Sequence, residues 1–225
     1  MTTSGSTSFS LPIDELIEQA AERIDADPIV GKEARTARRA LDLLFIDLQN
    51  RGVLLHTLVL EETSVATSVT TVSVPSDTLD TLDVAWRVSG RDIELERIPF
   101  GDYLQLNNKA QTGSRPTQYY VDRGRDGTQL YLWPIPTIEG SLAYWRVRQI
   151  QDGGDMTNTL DIPKRFYPTI VSGLAYYMAL NRGTRMSESR ILMLKSAYEE
   201  DREKAMEEDR ERVKLIIKPI FRKRR

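Results

Sequence analysis

The longest run without a charged residue, Phe166–Asn181, limits what this chain can fold into. Its apolar residues Ile170, Val171, Leu174 and Met178 recur on one face of a helix. The run is shorter than the ~20 residues that span a bilayer, so it is expected to be a buried core helix. Pro168 fits only the first turn of this helix, and Gly183 can adopt the left-handed conformation that ends it. Such a helix needs partners on its apolar face.

A second helix is predicted to follow after a short connection and to pack antiparallel to the first, so that the pair spans Pro163–Arg212. Ser187 is its predicted N-cap, and Glu188 suits the positive N-terminal end. Its partner stripe is Ile191, Leu194, Tyr198 and Ala205. The following stretch, Glu199–Arg212, is almost entirely charged and is expected to form a solvated helix face, with Glu200 and Lys204 in favourable i,i+4 order.

Two amphipathic helices are predicted near the N-terminus. Pro12 opens the first, and the second runs from about Gly31 to Arg51 and ends at Gly52. Neither helix can bury its apolar face alone, so both are expected to join the C-terminal pair in one helical domain. The two apolar stripes are Ile13, Leu16, Ile17, Ala20 and Ile24, and Ala37, Leu41, Leu44, Phe45 and Leu48.

Strand patterns occupy the middle of the chain. β-branched runs and alternating apolar residues predict strands and two hairpins, the second of which turns at Gly124–Gly127. The predicted strands are Val53–Leu60, Val69–Val74, Leu82–Val88, Asp92–Ile98, Arg115–Arg123, Thr128–Pro136 and Ser141–Arg148. A short helix is predicted at Phe100–Asn107, and Gln151–Thr159 is interpreted as a flexible polar linker.

These patterns predict an α+β fold. A helical bundle domain, built from residues 11–52 and 160–212, is interrupted by an antiparallel β domain at residues 53–159. Residues 1–10 are rich in serine and threonine and are expected to form a disordered arm. Residues 213–225 are expected to form an extended tail, because Pro219 bars a continuous helix and β-branched residues favour extended backbone.

This C-terminal tail is basic and apolar, and it contains no acid. Subtracting its six basic residues from the net charge of −2 leaves −8 for residues 1–212. An acidic body with a basic, apolar tail suggests that the tail docks on a partner. The candidate docking residues are Val213, Leu215, Ile216, Ile217, Lys218, Ile220, Phe221, Arg222, Lys223, Arg224 and Arg225.

Few residues carry recognisable catalytic chemistry, and no cofactor is predicted. The chain has no cysteine and a single histidine, His56, which is expected to be a packed or edge side chain. Asp152–Asp155 lacks the Lys and Ser/Thr of a phosphate-binding loop. Glu94 and Glu96 share a predicted strand face, but the solvated side of a hairpin explains them more simply than a glycosidase pair does.

Aromatic residues are concentrated on the predicted strands. Such side chains could stack on sugars or bases, but on hairpins they more often form the core or a subunit interface. The aromatic residues considered are Trp86, Trp133, Trp145, Tyr119, Tyr120 and Tyr131. Four of them are the candidate subunit or tail interface: Tyr119, Tyr120, Tyr131 and Trp133.

The order of several motifs resembles one family. They are Asn50-Arg51-Gly52 after two N-terminal helices, Arg115-Pro116, Tyr119-Tyr120, Leu130–Pro136, and Ile162-Pro163 before a helix carrying Gly173 and a long charged helix. Together they resemble the head-to-tail adaptor (connector, tail accessory or head completion) proteins of tailed bacteriophages, the podovirus type above all.

The resemblance implies a structural protein of the phage neck, without enzymatic activity, that is assembled in the host cytoplasm. It implies a dodecameric ring beneath the portal protein, bound below by a tail nozzle or tail tube protein. Double-stranded DNA would pass through the lumen without sequence recognition, and the ring would extend the channel and retain packaged DNA. C-terminal segments of the family commonly reach onto the portal, and no membrane is involved.

Two other functions stay open on the sequence alone. One is a tail-associated glycan-binding or cell-wall-degrading protein, because carboxylates are abundant and the aromatic residues on the predicted strands could form a sugar-binding platform. The other is an isolated nucleic-acid-binding protein, which the acidic body disfavours.

Overall fold

The computed structural model describes residues 5–6, 8–26, 31–52, 54–125, 127–183 and 186–210. Within these residues, helices α1 (Ile13–Glu22) and α2 (Lys32–Asn50) come first. Ten strands follow in the described part of the chain, with a short helix α3 (Phe100–Gln105) among them, and helices α4 (Tyr167–Arg182) and α5 (Glu188–Glu208) come after them. The predicted α+β class is confirmed.

Helix α4 is the centre of the helical core. Ile170, Leu174 and Ala175 are fully buried, and α1, α2 and α5 all pack against this helix. Gly173 makes close packing possible, because a Cβ at this position would lie 2.8 Å from a methyl group of Leu44 and 2.9 Å from the ring of Tyr198. The helices from the two ends of the chain therefore share one core, as predicted.

The predicted helix ends are confirmed. Pro168 lies in the first turn of α4, and Gly183 follows its last residue with φ 55°. Ser187 caps α5, because its hydroxyl accepts a hydrogen bond from the backbone N–H of Arg190 at 3.4 Å. All five residues of the predicted α2 stripe are buried, as is the α1 stripe.

The middle of the chain forms two four-stranded sheets that pack on each other. The first has the order β1 (Leu58–Val65), β10 (Gly140–Arg148), β3 (Thr78–Val88), β4 (Arg91–Glu94). The second has the order β2 (Thr71–Ser73), β8 (Gly127–Trp133), β7 (Gln118–Gly124), β5 (Glu96–Arg97). A separate core lies between these sheets and includes Trp86, Tyr119 and Tyr144.

Both predicted hairpins are present. β3 and β4 pair antiparallel with Val88 opposite Arg91, and β7 and β8 pair with Gly124 opposite Gly127. A small parallel pair, β6 (Thr112–Gly113) with β9 (Ile135–Pro136), closes the end of the second hairpin.

Two strands differ from the prediction. Leu55–Thr57 forms a single 3-10 turn, so the predicted strand Val53–Leu60 is wrong over its first part, and β1 runs on to Val65. The predicted strand Val69–Val74 is only three residues long, Thr71–Ser73. A short apolar run does not by itself distinguish a strand from a turn that leads into one.

The segment Gln151–Thr159 was interpreted as a flexible linker, and this is wrong. Backbone hydrogen bonds join Ile13 N to Asn158 O at 3.1 Å and Asp14 N to Met156 O at 3.0 Å. Arg38 Nη1 donates to the carbonyl of Gly154 at 2.9 Å. The segment is therefore held against α1 and α2, which donate hydrogen bonds to its backbone carbonyls.

The C-terminal tail, residues 213–225, lies outside the described residues, as do residues 1–4 of the N-terminal arm. The domain boundaries predicted from the sequence stay a prediction. None of the described helices is long and apolar enough to span a membrane.

Candidate interaction surfaces

An aromatic patch covers the outer face of the second sheet. It consists of Phe100, Tyr103, Tyr120 and Tyr131. Tyr120 and Tyr131 are opposite each other on β7 and β8, with ring centroids 6.0 Å apart. Tyr103 of α3 stacks on Tyr120 at 5.1 Å with an interplanar angle of 19°, and Phe100 lies 5.8 Å from the same ring.

The patch is open to solvent on one side. Phe100 is 57% exposed, and Leu104 beside it is 53% exposed. Lys109 Nζ lies 5.3 Å from the centroid of Tyr103, a cation–π contact at the rim. Burial raises the pKa of the Tyr103 hydroxyl. An aromatic surface with a basic rim is suited to protein contact.

The four predicted interface residues do not share one environment. Tyr120 and Tyr131 belong to the aromatic patch, and Trp133 is half-buried nearby, with its indole N–H donating to the carbonyl of Asn108 at 3.0 Å. Tyr119 points to the other side of the sheet, because side chains alternate along a strand. It is 1% exposed, and its hydroxyl donates to the Leu82 carbonyl at 3.0 Å.

Tyr119 is therefore a residue of the sandwich core and is not available to a partner. The sequence reasoning missed Phe100 and Tyr103, which contribute half of the aromatic patch. The sequence does contain a signal for these two residues. They are three positions apart on a predicted helix, and this spacing places both rings on one side of it.

A polar junction cluster lies where the β domain meets the end of α5. Asp209 accepts hydrogen bonds from Arg165 Nε at 2.9 Å and from the backbone N–H of Leu55 at 2.9 Å. Arg148 and Asp161 form a second ion pair close by. Asp209 was predicted to be solvated with the rest of the charged run, and this is wrong, because its carboxylate neutralises Arg165 and caps a turn.

His56 lies at the same junction and packs against Phe166, with ring centroids 5.9 Å apart. Within the described part of the chain, neither of its buried ring nitrogens has a hydrogen-bond partner. Burial lowers the pKa of His56, although Asp209 and Asp161 oppose this effect. The prediction of a packed histidine is confirmed.

A family comparison adds to this geometry. Residues 11–216 match the family model described as SU10 adaptor protein. The chain belongs to the SU10 adaptor protein family. No curated protein matches it.

Membership in the SU10 adaptor family confirms the resemblance to phage head-to-tail adaptors and implies a structural component of the virion. The match includes both terminal helix pairs and the whole β domain, so the helical core and the sandwich are parts of one family unit. It also reaches the first residues of the predicted tail.

The SU10 adaptor fold separates the two carboxylates that were considered as a catalytic pair. Glu94 ends β4 of the first sheet, and Glu96 begins β5 of the second. Glu96 accepts a 2.7 Å hydrogen bond from Gln118, a lateral strand contact. The two residues were predicted on one strand but lie on two, and both are exposed on either side of the buried Leu95, as expected for a solvated face. Among the described residues, no group of three or more His, Cys, Asp or Glu side chains is placed to hold a metal ion.

Proposed function

We propose that this protein is the head-to-tail adaptor of a tailed phage of the podovirus type. Twelve copies form a ring beneath the portal, and the ring extends the DNA channel and retains packaged DNA. The observation that carries the proposal is the SU10 adaptor match over residues 11–216.

The C-terminal tail is proposed to dock on the portal. The junction cluster supports this, since Asp209 is fixed by Arg165 and Leu55 one residue before the end of the described chain. The sequence then continues from an anchored point into its basic, apolar tail. Apolar residues such as Ile216 and Phe221 would fill pockets, and the basic residues around them would meet acidic groups.

The aromatic patch is proposed to bind the tail nozzle or tail tube protein. It lies on the β domain, whereas the last described residues, Asp209 and Arg210, follow helix α5 of the helical domain. Tyr120, Tyr131 and Trp133 therefore remain candidate interface residues, with Phe100 and Tyr103 added.

The acidic body is compatible with a conduit for DNA. Residues 1–212 carry a net charge of −8, and like charge disfavours retention of the phosphate backbone on a channel wall. DNA is proposed to pass without sequence recognition.

Native mass spectrometry of the protein mixed with its portal ring tests the proposal. We expect twelve copies of the full-length chain per portal ring, and loss of binding when the chain is truncated after Arg212. Twelve copies bound by the truncated chain would keep the adaptor function and move the interface to the helical body. An absence of binding by the full-length chain would contradict the proposed function.

A further inference from the structure

The outer face of α2 carries a stripe that none of the described residues covers. Leu43 is 56% exposed and Ile46 is 47% exposed, on the side of the helix opposite the buried Leu44 and Leu48. Towards the N-terminus the stripe continues with the exposed residues Arg35 and Arg39. The stripe is therefore basic in its first half and apolar in its second half.

Contacts among the residues that the structure describes flank this stripe on both sides but leave it uncovered. On one flank, Asp47 accepts a 2.9 Å hydrogen bond from the hydroxyl of Tyr198 on α5. On the other flank, Arg38 and Gln49 donate to the carbonyls of Gly154 and Arg148. Across the part of the chain that the structure describes, no ion pair engages Arg35 or Arg39.

The outer face of α5 carries the complementary pattern. Leu192 is 59% exposed and Met193 is 53% exposed, one turn from the start of the helix. Further along the same face are the exposed acids Glu200, Glu203 and Glu207. Glu200 pairs with Lys204 at 2.6 Å, and both side chains are about two-thirds exposed (67% and 66%), so this pair is weak and can exchange.

We propose that the outer face of α2 in one copy binds the outer face of α5 in the next copy, with the helices antiparallel. This inference rests on the proposed ring, and it names the surfaces that build the ring. On α2, Arg39 and Ile46 are two helical turns apart, and on α5, Met193 and Glu200 are also two turns apart. Each of these spacings is roughly 10 Å along the helix axis. An antiparallel pair therefore places Arg39 opposite Glu200 when Ile46 is opposite Met193.

The charges select this pairing over the alternatives. Two α2 faces or two α5 faces paired in parallel and in register would bring like charges together. An antiparallel self-pair with its apolar halves in contact would place no arginine opposite a glutamate, so neither self-pairing is favoured. A parallel arrangement of α2 and α5 would place Ile46 against Glu200. Since the two faces belong to different surfaces of one chain, the contact is heterologous, as a cyclic ring requires.

Charge reversal tests the pairing. The variants R35E/R39E and E200R/E203R should each lose assembly on the portal ring by about tenfold or more, because each contact then opposes like charges. An equimolar mixture of the two variants should recover assembly, with the two chains alternating. R23E/R91E, which reverses two exposed arginines, one directly after α1 and one on β4, is the matched control and should assemble like the wild type.

A second test uses the absence of cysteine from the chain. The double variant I46C/M193C should form a ladder of disulfide-linked copies on mild oxidation. The control I46C/I138C should not, because its second cysteine replaces an exposed residue of the β domain. A ladder with the first pair alone supports the contact. Equal ladders for both pairs, or none for either, would overturn it.

The outcomes separate the inference from the proposed function. Suppose that twelve wild-type chains bind the portal. If the charge-reversed variants then also assemble, or if their mixture does not recover assembly, the helix pairing is overturned and the adaptor function stays intact. Wild-type chains that do not associate with the portal or with one another would overturn both.

Discussion

Arg165 and Asp209 form an ion pair across the junction between the start of α4 and the end of α5, with Nε 2.9 Å from Oδ1. The Asp209 side chain is 1% exposed and that of Arg165 is 34% exposed. The same carboxylate accepts the backbone N–H of Leu55, so one residue holds the end of the helical pair against the start of the β domain.

The first prediction is that Asp209→Asn destabilises the protein by about 2–3 kcal/mol, because hydrogen bonds to a buried charged group are lost and Arg165 keeps an unpaired charge. Urea unfolding measures this change. Asp155→Asn, the same substitution at an exposed position, should change the free energy of unfolding by less than about 0.5 kcal/mol. Equal values for the two variants would show that the junction ion pair does not stabilise the fold.

The second prediction concerns the helix crossing at Gly173. A Cβ there would lie within 3 Å of Leu44 and Tyr198. Gly173→Ala should therefore cost about 1–3 kcal/mol through overpacking, despite the better helix propensity of alanine. Gly101→Ala in α3 is the control, since its Cβ would meet nothing within 4 Å and should be neutral or stabilising. Thermal unfolding of the two variants gives the comparison, and a Gly173→Ala protein as stable as wild type would contradict the packing.

The third prediction is a pH dependence that comes from His56. Burial lowers the pKa of His56 in the folded state below 6.5, the ordinary value of a histidine. As the pH falls below about 6.5, the unfolded chain therefore binds more protons than the folded chain does. This residue therefore stabilises the fold less at pH 5 than at pH 7. The charged neighbours of His56 are present both in the wild type and in a variant that lacks the histidine. They are Asp209, Asp161, Arg148 and Arg165.

His56→Leu should remove this dependence, so its stability relative to wild type should rise between pH 7 and pH 5. Chemical unfolding at both pH values measures the difference, in which the shared titration of the carboxylates cancels. A constant difference between the two proteins would show that His56 does not titrate in this range.

The fourth prediction separates tail attachment from portal binding. Replacing Phe100 and Tyr120 by alanine should leave twelve copies bound per portal ring but reduce the number of tailed particles, because the aromatic patch is proposed to bind the tail. Complementation of a phage that lacks this gene, followed by electron microscopy, measures the tailed fraction. Leu60→Ala, a 53% exposed apolar residue on β1, is the control. Equal tailed fractions in the two complemented strains would place the tail interface elsewhere.

The helices could be predicted because each carries local signals. Their apolar stripes repeat with the helical period, and Pro168, Gly183 and Ser187 mark their ends. The hairpin at Gly124–Gly127 was predictable for the same reason, since turn residues separate two alternating runs.

The errors involve contacts between residues far apart in sequence. Asp209 looks like its charged neighbours, and only its contacts with Arg165 and Leu55 explain why it is buried. The polar segment Gln151–Thr159 looks flexible until α1 and α2 supply hydrogen-bond partners. The aromatic patch joins α3 to two strands, so no single stretch of sequence contains it.

Cryo-electron microscopy of the neck of the intact phage particle tests the central claim most directly. The account predicts a ring of twelve copies of this fold directly beneath the portal, with the helical domain and the β domain both resolved in each copy. Density for this protein at the tail tip or on the capsid surface, or its absence from the purified particle, would contradict it.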